Sequence, residues 1–315
     1  MTHKFRFLSA TAAAVLSLAV LGAGAASAET LVGLITKNNT NPFFVKMKEG
    51  AEAAAKSGGL KFQAYAGKVD GDAGPQIEAI ENLIAAGAKG ILITASNDTV
   101  IPALKKARKA GILVIALDTP ISDKDATDAT FATDNFQAGI LIGQWAKTTL
   151  GDKAASAHIG MLDINKDNIS VDVARDTGFL KGFGIEVPDV KVMGSEKDKR
   201  VIGHESSGAN PEGGVKSVEN LLQKDPAMNV VYTINEPAAE GGFQALKKAG
   251  KEKGVIIVSV DGGCAGVKNV KAGVIAATSQ QYPLKMASMG VDAGIEYAVG
   301  GKDTKVGTDM CWGNK

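Results

Sequence analysis

Cysteine, histidine and aromatic side chains are all scarce in this chain, whose 315 residues include two Cys and three His, with aromatics at 5%. A structural zinc site wants four ligands at tight spacing, and the scattered His3, His158 and His204 offer no such pattern. Charge of one sign is missing too, since 35 basic residues face 34 acidic ones. A nucleic-acid binder shows a basic face or arm, and a peripheral membrane protein a cationic amphipathic helix; neither stands out here. The phosphate-binding and nucleophile motifs are absent as well. Val32-Gly-Leu-Ile-Thr-Lys37 has one Gly where a dinucleotide fold would have G-x-G-x-x-G, and neither a phosphate-loop Lys nor a G-x-S-x-G elbow occurs. No cofactor and no catalytic set is expected. Two carboxylates such as Asp118 and Asp261 would suit a glycoside hydrolase, but carboxylates that only bind hydroxyls look the same in sequence.

The first residues do carry a message. Lys4 and Arg6 precede an apolar run from Ala10 to Leu21, which leads into Ala26-Ser27-Ala28. This is the plan of a secretory signal cleaved after Ala28, and the run is short for a membrane anchor. An exported, periplasmic protein is therefore expected, near neutral and not embedded in the membrane. In an oxidising compartment the isolated pair Cys264 and Cys311 is expected as a disulfide. On the chain-entropy model a loop of that size gives about 4 kcal/mol and pins the tail.

After Ala28 the chain is long for one hydrophobic core, so two domains are expected. Short Val- and Ile-rich runs alternate with amphipathic stretches, the pattern of a parallel sheet covered on both faces by helices. Strands are expected at Thr30–Ile35, Lys61–Ala64, Gly90–Thr94 and Ile112–Leu117, with helices at Pro42–Lys56, Ala73–Ala86 and Ile101–Lys109 between and after them. The series restarts past Thr133-Asp134 with helices at 136–149, 171–183, 213–224, 237–249 and 264–272. Its strands are expected at 157–162, 190–193, 229–233, 255–259 and 274–277, and a long helix runs from Pro283 to about Val299. The domain reading is a signal at 1–28, a first α/β domain at 29–132 plus 282–308, and a second at 133–281 plus 309–315. Ser195–Gly214 fits neither pattern, and so long a loop is expected to be functional, with His204, Glu205 and Asn210 contributing to specificity.

Ligands of open α/β sheets sit beyond the carboxyl ends of the strands. The residues there share a chemical character: Asn38, Asn39, Asn41, Phe43 and Phe44; Thr94, Ser96 and Asn97; Asp118 and Thr119; Asp134 and Asn135; Asn235 and Glu236; Asp261; Gln280 and Gln281. Amides and carboxylates suit sugar hydroxyls, which both donate and accept, and aromatic rings suit the C–H faces. Asn and Asp after strands are also common turn and helix-cap residues, and Asn135 is the one most readily explained as a cap.

In this ordered set the chain resembles the periplasmic monosaccharide-binding proteins of ribose, galactose and fructose transport, which share their fold with the sugar-binding half of the lac repressor family. The resemblance rests on Asn41-Pro-Phe-Phe44, Leu117-Asp118, Thr133-Asp-Asn135, Arg175-Asp-Thr-Gly-Phe179, Thr233-Ile-Asn235, Val260-Asp261-Gly262 and Ser279-Gln-Gln281. It implies a type I periplasmic binding protein: two doubly wound parallel-sheet domains joined by a multi-strand hinge. It implies a monomer that closes on one monosaccharide, a pentose or hexose of the ribose or fructose type, and hands it to an inner-membrane ABC permease. Asn41, Phe43, Phe44 and Asp118 would contact sugar from the first domain, and Asn135, Arg175, Asn235, Asp261 and Gln281 from the second domain and hinge. The alternative role is a periplasmic receptor for a sugar-like signal or polyol; a repressor would need a helix-turn-helix where the signal stands. Two departures from the ribose pattern matter. Thr119 stands where that pattern has Arg, and Thr94 where it has Asn, so the hydroxyls read should differ. Relatives also return through the hinge with a further strand, whereas this chain ends soon after Trp312.

Overall fold

A computed structural model describes residues 30–300 and 310–312, with side chains described through residue 297. The expected signal at 1–28 lies outside the described residues.

The first body is a sheet of β1 (Leu31–Thr36), β2 (Lys61–Ala66), β3 (Gly90–Ile93), β4 (Leu113–Leu117), β5 (Ala129–Thr133) and β11 (Met310–Trp312), ordered β2-β1-β3-β4-β5-β11 and parallel throughout. The central strands β1, β3 and β4 are buried along their whole length, as continuous Val, Ile and Leu runs require when both faces are covered. α1 (Pro42–Ser57) and α9 (Pro283–Gly300) cover one face, while α2 (Gly74–Ala85) and α3 (Ile101–Lys109) cover the other. α1 starts as its sequence dictates: the Asn41 side chain accepts from Phe43 N at 2.9 Å, and Pro42 takes the first position, where no N–H is needed.

The second sheet contains β6 (Ile159–Asp163), β7 (Val201–Ser206), β8 (Val230–Thr233), β9 (Ile256–Asp261) and β10 (Ala277–Gln280) in the order β7-β6-β8-β9-β10, again all parallel. α4 (Asn135–Leu150) and α5 (Ser170–Phe183) pack on one face, and α6 (Pro211–Lys224) and α7 (Glu236–Lys248) on the other; α8 (Cys264–Lys271) leads into β10. The chain thus leaves the first sheet after β5 and returns to it after β10. α4 and α5 approach unusually closely. A Cβ on Gly139 would stand 2.3 Å from the Arg175 carbonyl oxygen, one on Gly143 2.2 Å from that of Phe179, and one on Gly182 2.2 Å from that of Ile140. Only glycine permits this contact of backbone on backbone.

Four expectations need correction. The strand expected at 190–193 is not one: Val190 and Val192 are exposed, and the edge strand is β7, inside the stretch expected to be a functional loop. Glu205 and Asn210 accordingly serve the scaffold, Glu205 bonding Lys224 and Asn220, and Asn210 capping α6 through Gly213 N, while His204 lies between Asp163 and Glu196. Residues 310–312 pair with β5 at the edge of the first sheet, not with the second domain. Cys264 is a free, exposed thiol at the start of α8, so the expected bridge is not formed; the Cys311 side chain lies outside the described residues. Among the described residues no helix is long and apolar enough to cross a membrane.

Candidate functional site

The carboxyl ends of both sheets face one another, and the polar residues just past the strands meet there. Arg175 is the centre. It sits on α5, 4% exposed, rather than on an outer helix face. Its Nε donates to Asn135 Oδ1 at 2.7 Å and its Nη1 to the Ile234 carbonyl at 3.1 Å, both within the second body. Its Nη2 reaches across to Asp118 Oδ1, 3.6 Å away in the first body. Asn135 is therefore no cap: Asp134 caps α4 through Gln137 N, which frees Asn135 to orient the guanidinium while its amide donates to the Thr133 carbonyl.

Asp118 follows β4 in the left-handed region, φ 63°, which aims its carboxylate into the gap between the bodies. Thr119 Oγ1 donates to Asp118 Oδ2 at 2.8 Å, whereas Asp118 Oδ1 accepts no hydrogen bond. Asp261, at the end of β9 with φ 145°, accepts from Gln281 Nε2 at 2.8 Å, and Gln281 Oε1 accepts from Thr133 Oγ1 at 3.1 Å. Burial pushes the Asp261 carboxyl up to about 7; Arg175 opposes the rise and Glu236 adds to it. Asn235 caps α7 through Ala238 N and donates to the Ala209 carbonyl. Glu236 braces the loop after β9, accepting from Gly262 N, Gly263 N and Thr278 Oγ1, and burial raises its carboxyl.

Asp118, Thr119, Asn135, Arg175, Asn235, Asp261 and Gln281 thus gather at one interface. Three expected residues are placed differently. Phe43 and Phe44, ring centroids 5.3 Å apart and edge to face, open α1 beside Asn41 and pack into the apolar layer under α1 and α9. Thr94 ties β1 to β3: its Oγ1 accepts from Lys37 N, and its carbonyl from Gln76 Nε2. Two residues join unforeseen. Lys37, directly after β1, is 2% exposed. Asp70 carries a buried, unpartnered Oδ1, and burial raises its carboxyl, with Lys37 opposing, Asp118 adding and Arg175 opposing. Lys37 was legible by the same rule of strand ends; Asp70 lies in a loop with no motif. A further contact spans the bodies nearby, Ser170 Oγ donating to the Pro120 carbonyl at 2.9 Å.

A buried, unpartnered carboxylate oxygen facing a guanidinium demands an explanation, because such acceptors are nearly always satisfied. A neutral polyhydroxyl ligand supplies one: hydroxyl hydrogens for Asp118 and Asp261, and hydroxyl or ring oxygens for Arg175 and the amides.

Comparison with known proteins points the same way. Residues 32–303 match the model of the periplasmic binding protein domain. The ribose import binding protein of Haemophilus influenzae is 30% identical over 302 residues, covering 95% of this chain and 96% of its own. The D-allose-binding periplasmic protein of Escherichia coli is 27% identical over 85% of each chain. Among solved structures, an Actinobacillus succinogenes ABC-transporter solute-binding protein with bound D-allose superposes with a TM-score of 0.75 at 23% identity, covering 89% of this chain and 96% of that one.

Proposed function

The chain belongs to the periplasmic binding protein family, in the branch of the ribose and galactose binding proteins, and on that premise we propose that it binds one monosaccharide between its two bodies and delivers it to an ABC importer. The observation that carries this is Arg175, fixed by its own body and facing the half-satisfied Asp118 of the other. Asn41 and Lys37 complete the first body's share, with Phe43 and Phe44 packed behind Asn41 in the apolar layer, and Asn135, Asn235, Asp261 and Gln281 make up the second's. Because these polar groups are nearly all buried, sugar enters only when the bodies part. The crossings near Asp134 and Tyr282 are the hinge, and sugar shifts the population toward closure because only the closed form presents both half-sites. A single chain holds the whole site, so the working unit is a monomer, resident in the periplasm after loss of residues 1–28. Its role is capture and not turnover.

The ligand is a pentose or hexose of the ribose or fructose type, but Thr119 and Thr94 supply neither the Arg nor the Asn of the ribose pattern, so its hydroxyls are read differently from those of ribose. A thermal-shift screen of the purified protein against D-ribose, D-allose, D-fructose, D-galactose, myo-inositol and amino acids tests the reading, since a ligand held only by the native state raises Tm. A rise with one or two monosaccharides supports it. A rise with an amino acid alone keeps the fold and overturns the substrate class.

A further inference from the structure

Beside Arg175 on α5 lies a cluster that the sugar site does not use. Asp163 ends β6, His204 stands in β7, Asp172 and Asp176 lie on α5, and Glu196 comes from the segment leading into β7. His204 Nδ1 lies 2.9 Å from Asp163 Oδ2 and 3.5 Å from Asp176 Oδ2, while its Nε2 lies 2.9 Å from Glu196 Oε1. One donor atom each from Asp163, Asp176 and His204 falls within 4.8 Å of the others. Asp176 is fully buried, and neither of its oxygens has a hydrogen-bond partner; Asp163 Oδ1, Asp172 Oδ1 and Glu196 Oε2 are orphaned likewise.

The arrangement is over-supplied with acceptors. With Glu196 facing Nε2, Nδ1 faces two carboxylates, and a proton or a cation must lie between them. A proton on Nδ1 serves one oxygen, that of Asp163, and leaves Asp176 unanswered. A cation answers both at once. Metal-to-ligand distances of about 2.0–2.2 Å separate donors on one ion by about 3–4 Å, close to the spacings found here. The Glu196–His204 pair is the outer-shell device that fixes the tautomer of a metal-bound imidazole. One imidazole with carboxylates suits a first-row divalent ion better than calcium or magnesium, which take oxygen alone.

We propose that Asp163, Asp176 and His204 form a binding site for a divalent first-row transition ion of the zinc or manganese type, with Glu196 orienting His204. The ion joins β6, β7 and α5 and so braces the helix that carries Arg175. The ligands come from three separate elements, and for that reason no spacing in the chain announces them.

The test uses untagged protein stripped with chelator and titrated by calorimetry with ZnCl2, MnCl2 and CaCl2 in turn, with metal content measured after dialysis. One equivalent of zinc or manganese is expected, lost in His204→Ala and weakened about 10- to 100-fold in Glu196→Gln, as outer-shell changes do. Asp176→Asn, nearly isosteric, guards against a misfolded alanine variant and should also lose the ion, with its circular dichroism unchanged. Failure to take up zinc or manganese, uptake of calcium alone, or uptake that persists in His204→Ala and Asp176→Asn each overturns the proposal. Sugar is not needed for any readout, so a wrong assignment here leaves the sugar site untouched.

Discussion

Arg175 is the residue on which the sugar site can be tested hardest. Replacing it with Ala removes a 2.7 Å bond to Asn135, a 3.1 Å bond to the Ile234 carbonyl and the guanidinium that stands 3.6 Å from Asp118 Oδ1. Hydrogen bonds to charged groups contribute about 1.5–3 kcal/mol, and stripping one partner from a buried pair costs about 3–5 kcal/mol. The unliganded protein can relieve most of that by opening and hydrating Asp118, so the loss should fall on the closed, sugar-bound form. The expected result is an affinity for the sugar that gives the largest thermal shift reduced by more than a hundredfold, since 1.4 kcal/mol is tenfold in Kd. Urea unfolding of the unliganded protein should move much less. Arg175→Lys keeps the charge but not the fork that meets Asn135, Ile234 and Asp118 together, and should lose about tenfold. Calorimetry on the three proteins decides. If the Ala variant bound within threefold of the parent, Arg175 would not touch the ligand, and the account of the site would be wrong.

Asp118→Asn should also weaken sugar binding, by about 10- to 150-fold for one charge-assisted bond, while leaving the fold in place, because Asn tolerates the φ of 63°; circular dichroism and calorimetry check both halves. Asp261 gives a pH prediction. Its folded pKa of about 7 lies above the unfolded value, so the native state binds the extra proton. Stability of the closed form is therefore greatest below about pH 4 as far as this group goes, and falls by up to about 1.4 kcal/mol per pH unit until about pH 7. Asp261→Asn should flatten the Tm difference between pH 5 and pH 8, with Arg175 and Glu236 as the facing charges; an unchanged difference would remove Asp261 as its source. Gly143→Ala thrusts a methyl to 2.2 Å from the Phe179 carbonyl oxygen and should destabilise by about 1–3 kcal/mol, read as a lower urea midpoint.

Most of the architecture was legible because parallel strands buried on both faces leave continuous apolar runs, and those of β1, β3, β4, β6 and β8 could be placed within a residue or two. β7 was not. Its Val-Ile-Gly-His-Glu-Ser sequence is half-buried at an edge, with one apolar side mixed with the His204 cluster, while the more hydrophobic-looking Val190 to Val192 lies open to solvent. The ring of strand-end residues could be read because position past a strand and chemical type coincide at Asp118, Asn235 and Asp261. The role of Asn135 could not, since capping and orienting an arginine call for the same amide; only the neighbouring Asp134, already bound to Gln137 N, separates the two. The acidic pocket behind α5 was invisible for a different reason. Its residues come from β6, β7, α5 and the segment before β7, and nothing local tells that β7 will close over Asp172 and Asp176.

The glycine contact between α4 and α5 has a thermodynamic meaning for ligand capture. By locking two backbones together it sets Asn135 and Arg175 at a fixed separation, and the guanidinium is held by partners of its own body, Asn135 and the Ile234 carbonyl. A free arginine side chain has about 2 kcal/mol of rotamer entropy to lose on being fixed. Here that loss is borne once, during folding, and is not charged again at each encounter. On the proposed closing motion the incoming sugar would meet a rigid template and spend its interaction energy on moving the domains, which is the general advantage of preorganisation.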